Sequence, residues 1–376
     1  MKPNRILIAA LALAVAAVQA RAEDSPTGPA PRTRNVVVVM TDGLRWQEVF
    51  GGADRALLNK EAGGVADVGG LKARFDRDTP EARREVLLPF MTNVVAAQGR
   101  LYGEGGEGSR VTNGKNFSYP GYSEVFTGFA DPRIDSNDKF PNPNVNVLEW
   151  LNSRPEYRGK VAAFASWDVF PFILNRERSG MKVVSAWEPL GGEELSPREK
   201  MLDEVKADVH RLWAGVGYDA FTFHGALEYL RREKPRVLFI GLGETDDFAH
   251  AGRYDNYLDS AHKFDQYVAR LWETLQSMPE YKDATTLILT TDHGRGDAPT
   301  GWKSHGAEVP GADRMWVGIL GPDTPARGET SLGSADQNQV AATLAALLGE
   351  DYNAYQPKAG PVIADAVGRR QAPADR

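Results

Sequence analysis

Three short apolar runs in the sequence each end in an aspartate, and histidines accompany two of them. The runs and their polar ends are residues 35–41 before Asp42, residues 237–242 before Asp246 and His250, and residues 286–291 before Asp292 and His293. Carboxylate and imidazole groups are common ligands of divalent cations in proteins. If the chain brings the three ends together, these residue types predict metal chemistry.

The three runs have the character of strands in a parallel sheet. Each is almost continuously apolar and closes in glycine or a polar turn, which is typical of a strand buried on both faces. Ligands of such sheets bind outside the carboxyl ends of the strands, so Asp42, Asp246 and Asp292 should converge on one edge. Carboxylates packed so closely repel one another unless a cation lies between them. The pattern therefore predicts a metal site at that edge.

Histidines refine the prediction of the metal. Asp246 and His250 are four residues apart, a spacing that puts both on one face of a helix. His305 follows in a polar loop. The chain has six histidines and no cysteine, so thiolate ligands and cysteine nucleophiles are excluded, and the ligand set suits Zn²⁺ or Mn²⁺. The other histidines are interpreted as structural or surface residues: His210, His224 and His262.

The wider pattern predicts the fold class. Apolar runs alternate with helical periodicity, for example over residues 254–278, which favours an α/β fold with a doubly wound, mostly parallel sheet flanked by helices. Residues 315–320 are predicted as the last strand. Residues 175–220 have mixed composition and are predicted to form a cap inserted over the edge of the sheet. Residues 23–376 are expected to be a single domain.

The amino-terminal segment and the bulk charge limit the cellular role. Lys2 and Arg5 precede an apolar stretch that ends near Ala20-Arg21-Ala22, so residues 1–22 are predicted to be a signal peptide. With no cysteine in the chain, an exported protein of this kind fits the periplasm or the cell exterior. The formal net charge of −7 argues against a nucleic-acid-binding surface. No later stretch is long enough to cross a membrane.

Ser118 lies in the sequence Asn116-Phe-Ser118-Tyr-Pro120, between the first and second of the aspartate-terminated runs. Pro120 disfavours helix at the residue before it, and the residues after it could begin a helix. Ser118 would then lie at a helix N-terminus, where backbone N–H groups favour an anion. A serine beside a proline is also a common turn or cap residue.

Taken together and in this order, the motifs resemble the alkaline phosphatase superfamily, and most closely its nucleotide pyrophosphatase/phosphodiesterase-like branch. The motifs that carry the resemblance are Asp42-Gly43, Ser118-x-Pro120, Asp246-x-x-x-His250, Asp292-His293-Gly294 and His305-Gly306. The resemblance extends from residue 35 to about residue 348. It implies two divalent metal ions, with Zn²⁺ favoured and Mn²⁺ the alternative.

The resemblance also implies roles for individual residues. Asp246, His250 and His305 would hold one metal, and Asp42, Asp292 and His293 the other. Ser118 would be the nucleophile, with Thr112 and Ser123 as weaker alternatives. Asn137 would contact the substrate phosphate, although it follows Ser118 more closely than family members place it. Glu244 and Asp247 flank a predicted ligand and either support it or are exposed loop carboxylates.

Departures from the family patterns point to a subclass. Sulfatases need an arginine where this chain has Tyr122, so a sulfatase is disfavoured. One monoesterase branch carries a Lys-x-Arg pair near residues 166–169, and this chain lacks both residues. The resemblance therefore implies an exported metal-dependent hydrolase of small phosphate esters, with diesters favoured. The alternatives are a phosphomonoesterase and a catalytically silent metal-binding protein on the same fold.

Overall fold

A single mixed sheet organises the part of the chain that the computed structural model describes, residues 31–192, 194–330 and 335–368. The strands of this sheet are β1 Asn35–Thr41, β2 Arg100–Tyr102, β3 Val161–Ala165, β4 Lys182–Ser185, β5 Val237–Leu242, β6 Thr285–Thr290, β7 Val317–Leu320 and β8 Gly328–Thr330. Their spatial order is β4-β3-β5-β1-β6-β7-β2-β8.

The three aspartate-terminated runs form three neighbouring strands, as predicted. β1 lies between β5 and β6 and pairs with both in parallel, with Val38 opposite Phe239 on one side and Ile288 on the other. All residues of these strands are buried. β-Branched residues such as the four valines of β1 pack well on a pleated surface that is covered on both faces. The carboxyl ends of β5, β1 and β6 therefore lie side by side.

The other end of the sheet is not parallel. β7 runs antiparallel to β6, and β2 runs antiparallel to β7. The prediction that residues 315–320 form the last strand is wrong, because β8 follows β7 and pairs with β2. β8 has only three residues, Gly328–Thr330, and they are only partly buried. Such a short polar segment carries no apolar run from which a strand could be predicted.

Helices cover both faces of the sheet, which confirms the doubly wound class. Alternate residues of β1 enter different cores: Val36 and Val38 join one, and Val37 and Val39 the other. The α-helices of the described residues are α1 Trp46–Gly51, α2 Lys60–Gly63, α3 Val68–Phe75, α4 Pro80–Leu87, α5 Ala96–Gln98, α6 Ser118–Thr127, α7 Val147–Ser153, α8 Phe170–Ile173, α9 Arg176–Ser179, α10 Pro197–Asp208, α11 Asp219–Glu233, α12 Glu244–His250, α13 Tyr254–Ser277, α14 Val340–Leu347 and α15 Tyr352–Tyr355. Short 3₁₀ segments span Arg55–Leu57, Glu104–Gly106, Gly301–Lys303 and Gln337–Gln339, and Met91–Val95 is a π-helix.

Two predictions about chain segments need qualification. Within the range predicted as a cap, residues 175–220, Lys182–Ser185 is the edge strand β4 and pairs with β3, so this part belongs to the sheet. The predicted signal peptide, residues 1–22, lies outside the described residues. Among the described helices, none combines the length and the apolar character that crossing a bilayer requires.

Candidate metal centre

The predicted metal ligands lie at the carboxyl ends of the three central strands. Asp42 directly follows β1, and Asp292 comes two residues after β6. Asp246 lies in the first turn of α12, which begins two residues after β5. Parallel pairing brings these strand ends to one edge, so residues about 200 and 250 positions apart along the chain meet there.

Six side chains form two ligand clusters at this edge. In each cluster, one ligand atom from every residue lies within 4.8 Å of the others. The buried cluster contains Asp42, Asp292 and His293, and the His293 Nε2 atom lies 3.3 Å from a carboxylate oxygen of each aspartate. The second cluster contains Asp246, His250 and His305. The structure thus brings all six predicted metal ligands together.

The histidines present one ring nitrogen to the clusters and use the other for support. His293 Nδ1 donates to Gly294 O at 2.9 Å, and His305 Nδ1 donates to Asn116 O at 3.1 Å. Since a carbonyl oxygen can only accept, both Nδ1 atoms carry the proton and Nε2 is left with a lone pair. Metal-binding histidines typically have this arrangement. The Nε2 atoms of His250 and His305 are 2.9 Å apart, both directed into the second cluster.

Buried polar atoms without partners indicate that the first cluster fits a cation. Asp42 Oδ1, Asp292 Oδ2 and His293 Nε2 are fully buried and have no hydrogen-bond partner. Burial raises the pKa of both aspartates well above the usual range, and the neighbouring carboxylates raise it further. Two buried carboxylates and an imidazole lone pair facing one another are costly unless a cation is shared among them. The donor set of oxygen and nitrogen suits Zn²⁺ or Mn²⁺.

In the second cluster, neighbouring charges lower the pKa of the aspartate. Burial opposes ionisation of Asp246, but Arg295 and the adjacent histidines outweigh it and hold the pKa of Asp246 well below its usual range. Burial also lowers the pKa of His305 to about 2, with His293 adding to the effect. Asp246 is therefore anionic and His305 neutral, which are the protonation states that metal binding requires.

Ser118 begins helix α6, and three contacts hold that segment against the predicted metal ligands. Asn116, two residues earlier, accepts from His305, and Tyr122 OH donates to Asp42 Oδ2 at 3.0 Å. Gly121 packs on the backbone of Asp292, where an added Cβ would lie 2.3 Å from Asp292 O. Ser118 is buried, and its hydroxyl makes no hydrogen bond within the described residues.

The two alternative nucleophiles are less free. The Thr112 hydroxyl donates to Glu124, and Ser123 Oγ accepts from Asn142 Nδ2 at 3.0 Å. Both hydroxyls therefore have structural partners inside the protein. Of the three candidates, only Ser118 combines burial beside the clusters with an uncommitted hydroxyl.

The N-terminus of α6 differs from the predicted anion site. Tyr119 N donates to Asn137 Oδ1 at 2.9 Å, Pro120 has no N–H, and Gly121 N donates to Phe117 O. The backbone N–H groups of residues 119–121 are thus already used or absent. The bond to Tyr119 brings Asn137 next to Ser118 and orients its amide oxygen toward the backbone, so the amide Nδ2 is the donor left at this helix end.

Further carboxylates lie behind the second cluster. Glu244 faces Asp219 and Ser260, and burial together with Asp219 raises the pKa of Glu244 to about 8. Burial and Asp246 raise the pKa of Asp247 to about 7. Asp219 itself accepts from Gly243 N and Ser166 Oγ, both at 2.7 Å. Glu244 and Asp247 are thus partly buried residues of helix α12 rather than exposed loop carboxylates.

Sequence reasoning missed two residues that touch the predicted ligands. Tyr122 binds Asp42, and Arg295 pairs with Asp246. Arg295 directly follows the Asp292-His293-Gly294 motif, so its position was a usable signal. Tyr122 was noted only because it stands where a sulfatase would have arginine, and its contact depends on how α6 packs against the end of β1.

An open pocket of about 420 Å³ lies along the same edge of the sheet, beyond the ends of β3 and β4. None of the six metal ligands lines it, but Lys139, two residues after Asn137, does. Its charged residues are largely paired: Lys139 with Asp168 at 2.7 Å and Arg176 with Glu188 at 2.8 Å. Trp187 forms part of the wall, and Arg211 lies over its ring at 4.9 Å.

Comparisons with known proteins agree with the fold and the motifs. The model of the family described as type I phosphodiesterase / nucleotide pyrophosphatase matches residues 119–309, just over half of the chain. This segment includes Asp246, His250, Asp292, His293 and His305 but begins after Ser118. No curated protein matches the sequence significantly.

Solved structures resemble the chain over most of its length. Alkaline phosphatase PafA has a TM-score of 0.57 at 10% identity, covering 91% of this chain and all of PafA. The phosphonate monoester hydrolase SpPMH from Silicibacter pomeroyi has a TM-score of 0.56 at 14% identity, with 92% of this chain and 78% of that chain covered. A protein of the alkaline phosphatase superfamily from Vibrio parahaemolyticus has a TM-score of 0.52 at 14% identity, with 92% and 72% covered. The solved structures show that the chain shares the fold of alkaline phosphatase superfamily proteins. The chain belongs to the type I phosphodiesterase / nucleotide pyrophosphatase family.

Proposed function

We propose that this protein hydrolyses phosphoric esters through Ser118, with two divalent metal ions and a preference for diesters. The observation that carries the proposal is the set of unpartnered ligand atoms on Asp42, Asp292 and His293, adjacent to a helix that begins with an uncommitted serine. A silent binding protein has no need of that serine. Family membership supports a phosphoester hydrolase in general, and the residue roles are our inference.

The two clusters divide the metal ligands between them. Asp246, His250 and His305 would hold one ion, and Asp42, Asp292 and His293 the second, with Zn²⁺ favoured over Mn²⁺. When bound, such ions neutralise charge on the phosphoryl group and favour ionisation of a nearby hydroxyl. Tyr122 and the backbone N–H of Gly43 each hold one aspartate oxygen in position.

The proposed reaction at phosphorus has two steps. The Ser118 oxygen would attack phosphorus, and its proton would pass to the alcohol of the ester, which leaves with the electrons of its bond to phosphorus. Water would then attack the phosphorylated serine, release the remaining phosphate monoester and return a proton to the Ser118 hydroxyl. The Asn137 amide, held by Tyr119 N–H, is available to donate to a phosphoryl oxygen. A donor fixed in this way contributes to stabilising the charge that develops in the transition state.

The pocket along the sheet edge supports diesters over monoesters. A diester carries a second organic group, and the cavity of about 420 Å³, which Lys139 helps to line, has room for one. A monoester carries more negative charge at phosphorus, yet Lys139 and Arg176 are already paired with carboxylates. Residues 166–169 also lack the Lys-x-Arg pair of the monoesterase branch.

We also propose that the protein is exported to the periplasm or the cell exterior and acts there on a small molecule. Lys2, Arg5 and the apolar stretch that follows support this proposal. Amino-terminal sequencing of protein recovered from an exporting bacterium should find a mature chain that begins close to residue 23. A chain that still begins at Met1 and stays in the cytoplasm would contradict it.

The function is tested by comparing two substrates on Zn²⁺- or Mn²⁺-loaded protein. The bis-nitrophenyl phosphate diester should be hydrolysed faster than the nitrophenyl phosphate monoester. Ser118→Ala should abolish turnover, a loss of about 10³-fold or more, while metal content stays unchanged. Ser123→Ala is the matched control, because this serine lies on the same helix and should leave the rate within a few-fold. Faster monoester turnover would overturn the diester preference, and full activity in Ser118→Ala would overturn the nucleophile.

A further inference from the structure

Arg295 is a buried cation in direct contact with the metal centre. It follows the Asp292-His293-Gly294 motif, and its side chain is fully buried. Each nitrogen of its guanidinium has a partner: Nη1 pairs with Asp246 Oδ1, while Nε and Nη2 donate to Trp302 O and Lys303 O, each at 2.7 Å. A planar fork with fixed donor directions suits such a three-way contact, and a lysine could not reproduce it.

These contacts join two parts of one ligand cluster. Asp246 belongs to α12, which follows β5. Trp302 and Lys303 belong to the 3₁₀ segment Gly301–Lys303, and His305 comes two residues later. One side chain thus ties the segment that supplies Asp246 to the segment that supplies His305. Neither Asp42 nor Asp292 is a hydrogen-bond partner of Arg295.

The space for this arrangement depends on Gly43. This glycine has a φ of 60°, and an added Cβ would lie 2.7 Å from Arg295 Nη1 and 3.1 Å from Asp246 Oδ1. Any side chain at position 43 would therefore meet the ion pair. The Asp42-Gly43 motif consequently serves both clusters: its aspartate is a ligand of one, and its glycine leaves room for the arginine that supports the other.

The burial of Arg295 indicates that it positions other residues and does not bind the substrate. A guanidinium that binds a phosphate ester must be reachable from the site, but Arg295 is fully buried and each of its three nitrogens already donates to a protein group. Its hydrogen bonds run to Asp246 and to the segment before His305. Groups that hold a metal ligand in this way tune metal affinity without touching the metal.

We propose that Arg295 is a positioning residue that sets the geometry of the Asp246–His250–His305 cluster alone. This inference rests on the proposed function, because it takes the cluster to be a metal site. Arg295 neutralises one oxygen of Asp246 and keeps His305 at a fixed distance from it. Without Arg295, Asp246 and His305 no longer have a common support, and the cluster loses the geometry that a metal requires.

Zn²⁺ affinity measured on single-cluster backgrounds tests this proposal. His305→Ala leaves only the Asp42 cluster complete, and Asp292→Asn leaves only the Asp246 cluster complete. Zn²⁺ is titrated into each metal-free protein against a chelating dye, with and without Arg295→Met. We expect Arg295→Met to weaken Zn²⁺ binding about 10- to 100-fold in the Asp292→Asn background. In the His305→Ala background the dissociation constant should stay within about 2-fold of its starting value.

Two further variants separate positioning from a general loss of stability. Arg295→Lys keeps a positive charge near Asp246 but cannot reach both carbonyls, so it should recover only part of the lost affinity. Arg45→Lys is the matched control: Arg45 is equally buried and pairs with Glu48, and none of its hydrogen bonds goes to a predicted ligand. It should lower the melting temperature without changing Zn²⁺ affinity. Co²⁺ absorption spectra of the Asp292→Asn background should change with Arg295→Met and not with Arg45→Lys.

The possible outcomes are distinct. Unchanged Zn²⁺ affinity in Arg295→Met, or equal losses in both backgrounds, would overturn the proposed role of Arg295 and leave the proposed function intact. Failure of the wild-type protein to bind Zn²⁺ or Mn²⁺ would overturn both. A loss confined to the Asp246 cluster, partly recovered by lysine, would support the inference.

Discussion

Most of the polar side chains around Ser118 are buried, and each is supported by a neighbour from a distant part of the chain. Tyr122 binds Asp42 and Arg295 binds Asp246, while the exposed Asn137 is held by the backbone of Tyr119. Such groups are costly to bury unless their hydrogen bonds are made. The exceptions are the ligand atoms of Asp42, Asp292 and His293, and this contrast identifies the place where a cation is needed.

Glu124 is a buried carboxyl group that supports the loop before Ser118. It is fully buried and accepts from the backbone and side chains of Thr112 and Asn113. Burial raises its pKa from 4.5 to about 7, against the effect of these hydrogen bonds. The folded state therefore binds this proton more readily than the unfolded state does. The contribution to stability is complete below about pH 4.5 and is lost as the pH rises through 7.

Glu124→Gln should expose this dependence, because glutamine cannot ionise. At about 1.4 kcal/mol per pKa unit, the free energy of unfolding of the wild type minus that of the variant should fall by roughly 3 kcal/mol as the pH rises from 4.5 to 8. Urea unfolding of both proteins at several pH values measures it. Glu81→Gln is the control, because the pKa of this exposed carboxyl is lowered by its own backbone N–H and by Thr79. For that variant the same free-energy difference should rise with pH. If the free-energy difference between the wild type and Glu124→Gln is constant or grows with pH, the raised pKa of Glu124 is refuted.

At the scale of elements, the sequence was informative wherever a local pattern decided the structure. The runs that became β1, β5 and β6 were apolar enough to be read as buried strands, and their aspartates met because parallel strands share a carboxyl edge. Helix α13 buries Leu258, Ala261 and Phe264, as their spacing predicted. The placement of Asp246 and His250 on one helix, α12, also agrees with their four-residue spacing.

Features that depend on packing between distant segments could not be read in this way. β4 lies inside a range of mixed composition, so it was taken for part of a cap, yet its partner β3 makes it a strand. The N-terminus of α6 was expected to bind an anion, but Asn137, 18 residues after Tyr119, uses its N–H. Neither the pairing nor the hydrogen bond has a local signature in the sequence.

The seating of α6 on the end of β6 leads to a prediction at this scale. Gly121 faces Asp292, and a Cβ there would meet Asp292 O at 2.3 Å and its carbonyl carbon at 3.0 Å. Gly121→Ala should force the helix away from the strand end and lower the free energy of unfolding by about 1–3 kcal/mol. Gly51→Ala is the matched control, because Gly51 ends helix α1 with no atom within 4 Å of an added Cβ. Equal stability of both variants in urea would contradict the proposed close contact.

Across the whole molecule, the sheet separates two cores and places the candidate metal centre at its edge, where both halves of the fold contribute predicted ligands. Asp42 comes from the first strand, and His305 comes more than 260 residues later. Metal binding at such a place joins segments that are far apart in the chain. Any free energy of binding to the folded state alone adds to the stability of the whole fold.

Removal of the metal should therefore destabilise the protein, and more strongly at high pH. Without a cation, burial raises the pKa of Asp42 and Asp292. The two protonated carboxyl groups therefore stabilise the metal-free fold fully at a pH below the ordinary carboxyl pKa, and this contribution is lost as the pH rises through the raised pKa values. A bound cation keeps both carboxylates ionised and removes the loss. With free Zn²⁺ at about 100 times its Kd, the stabilisation is about 2.7 kcal/mol. Calorimetric Tm values of metal-loaded and metal-free protein should thus diverge between pH 5.5 and pH 8, and the gap should be smaller in Asp292→Asn. A gap that narrows as the pH rises, or no gap at all, would show that these carboxylates do not share a cation.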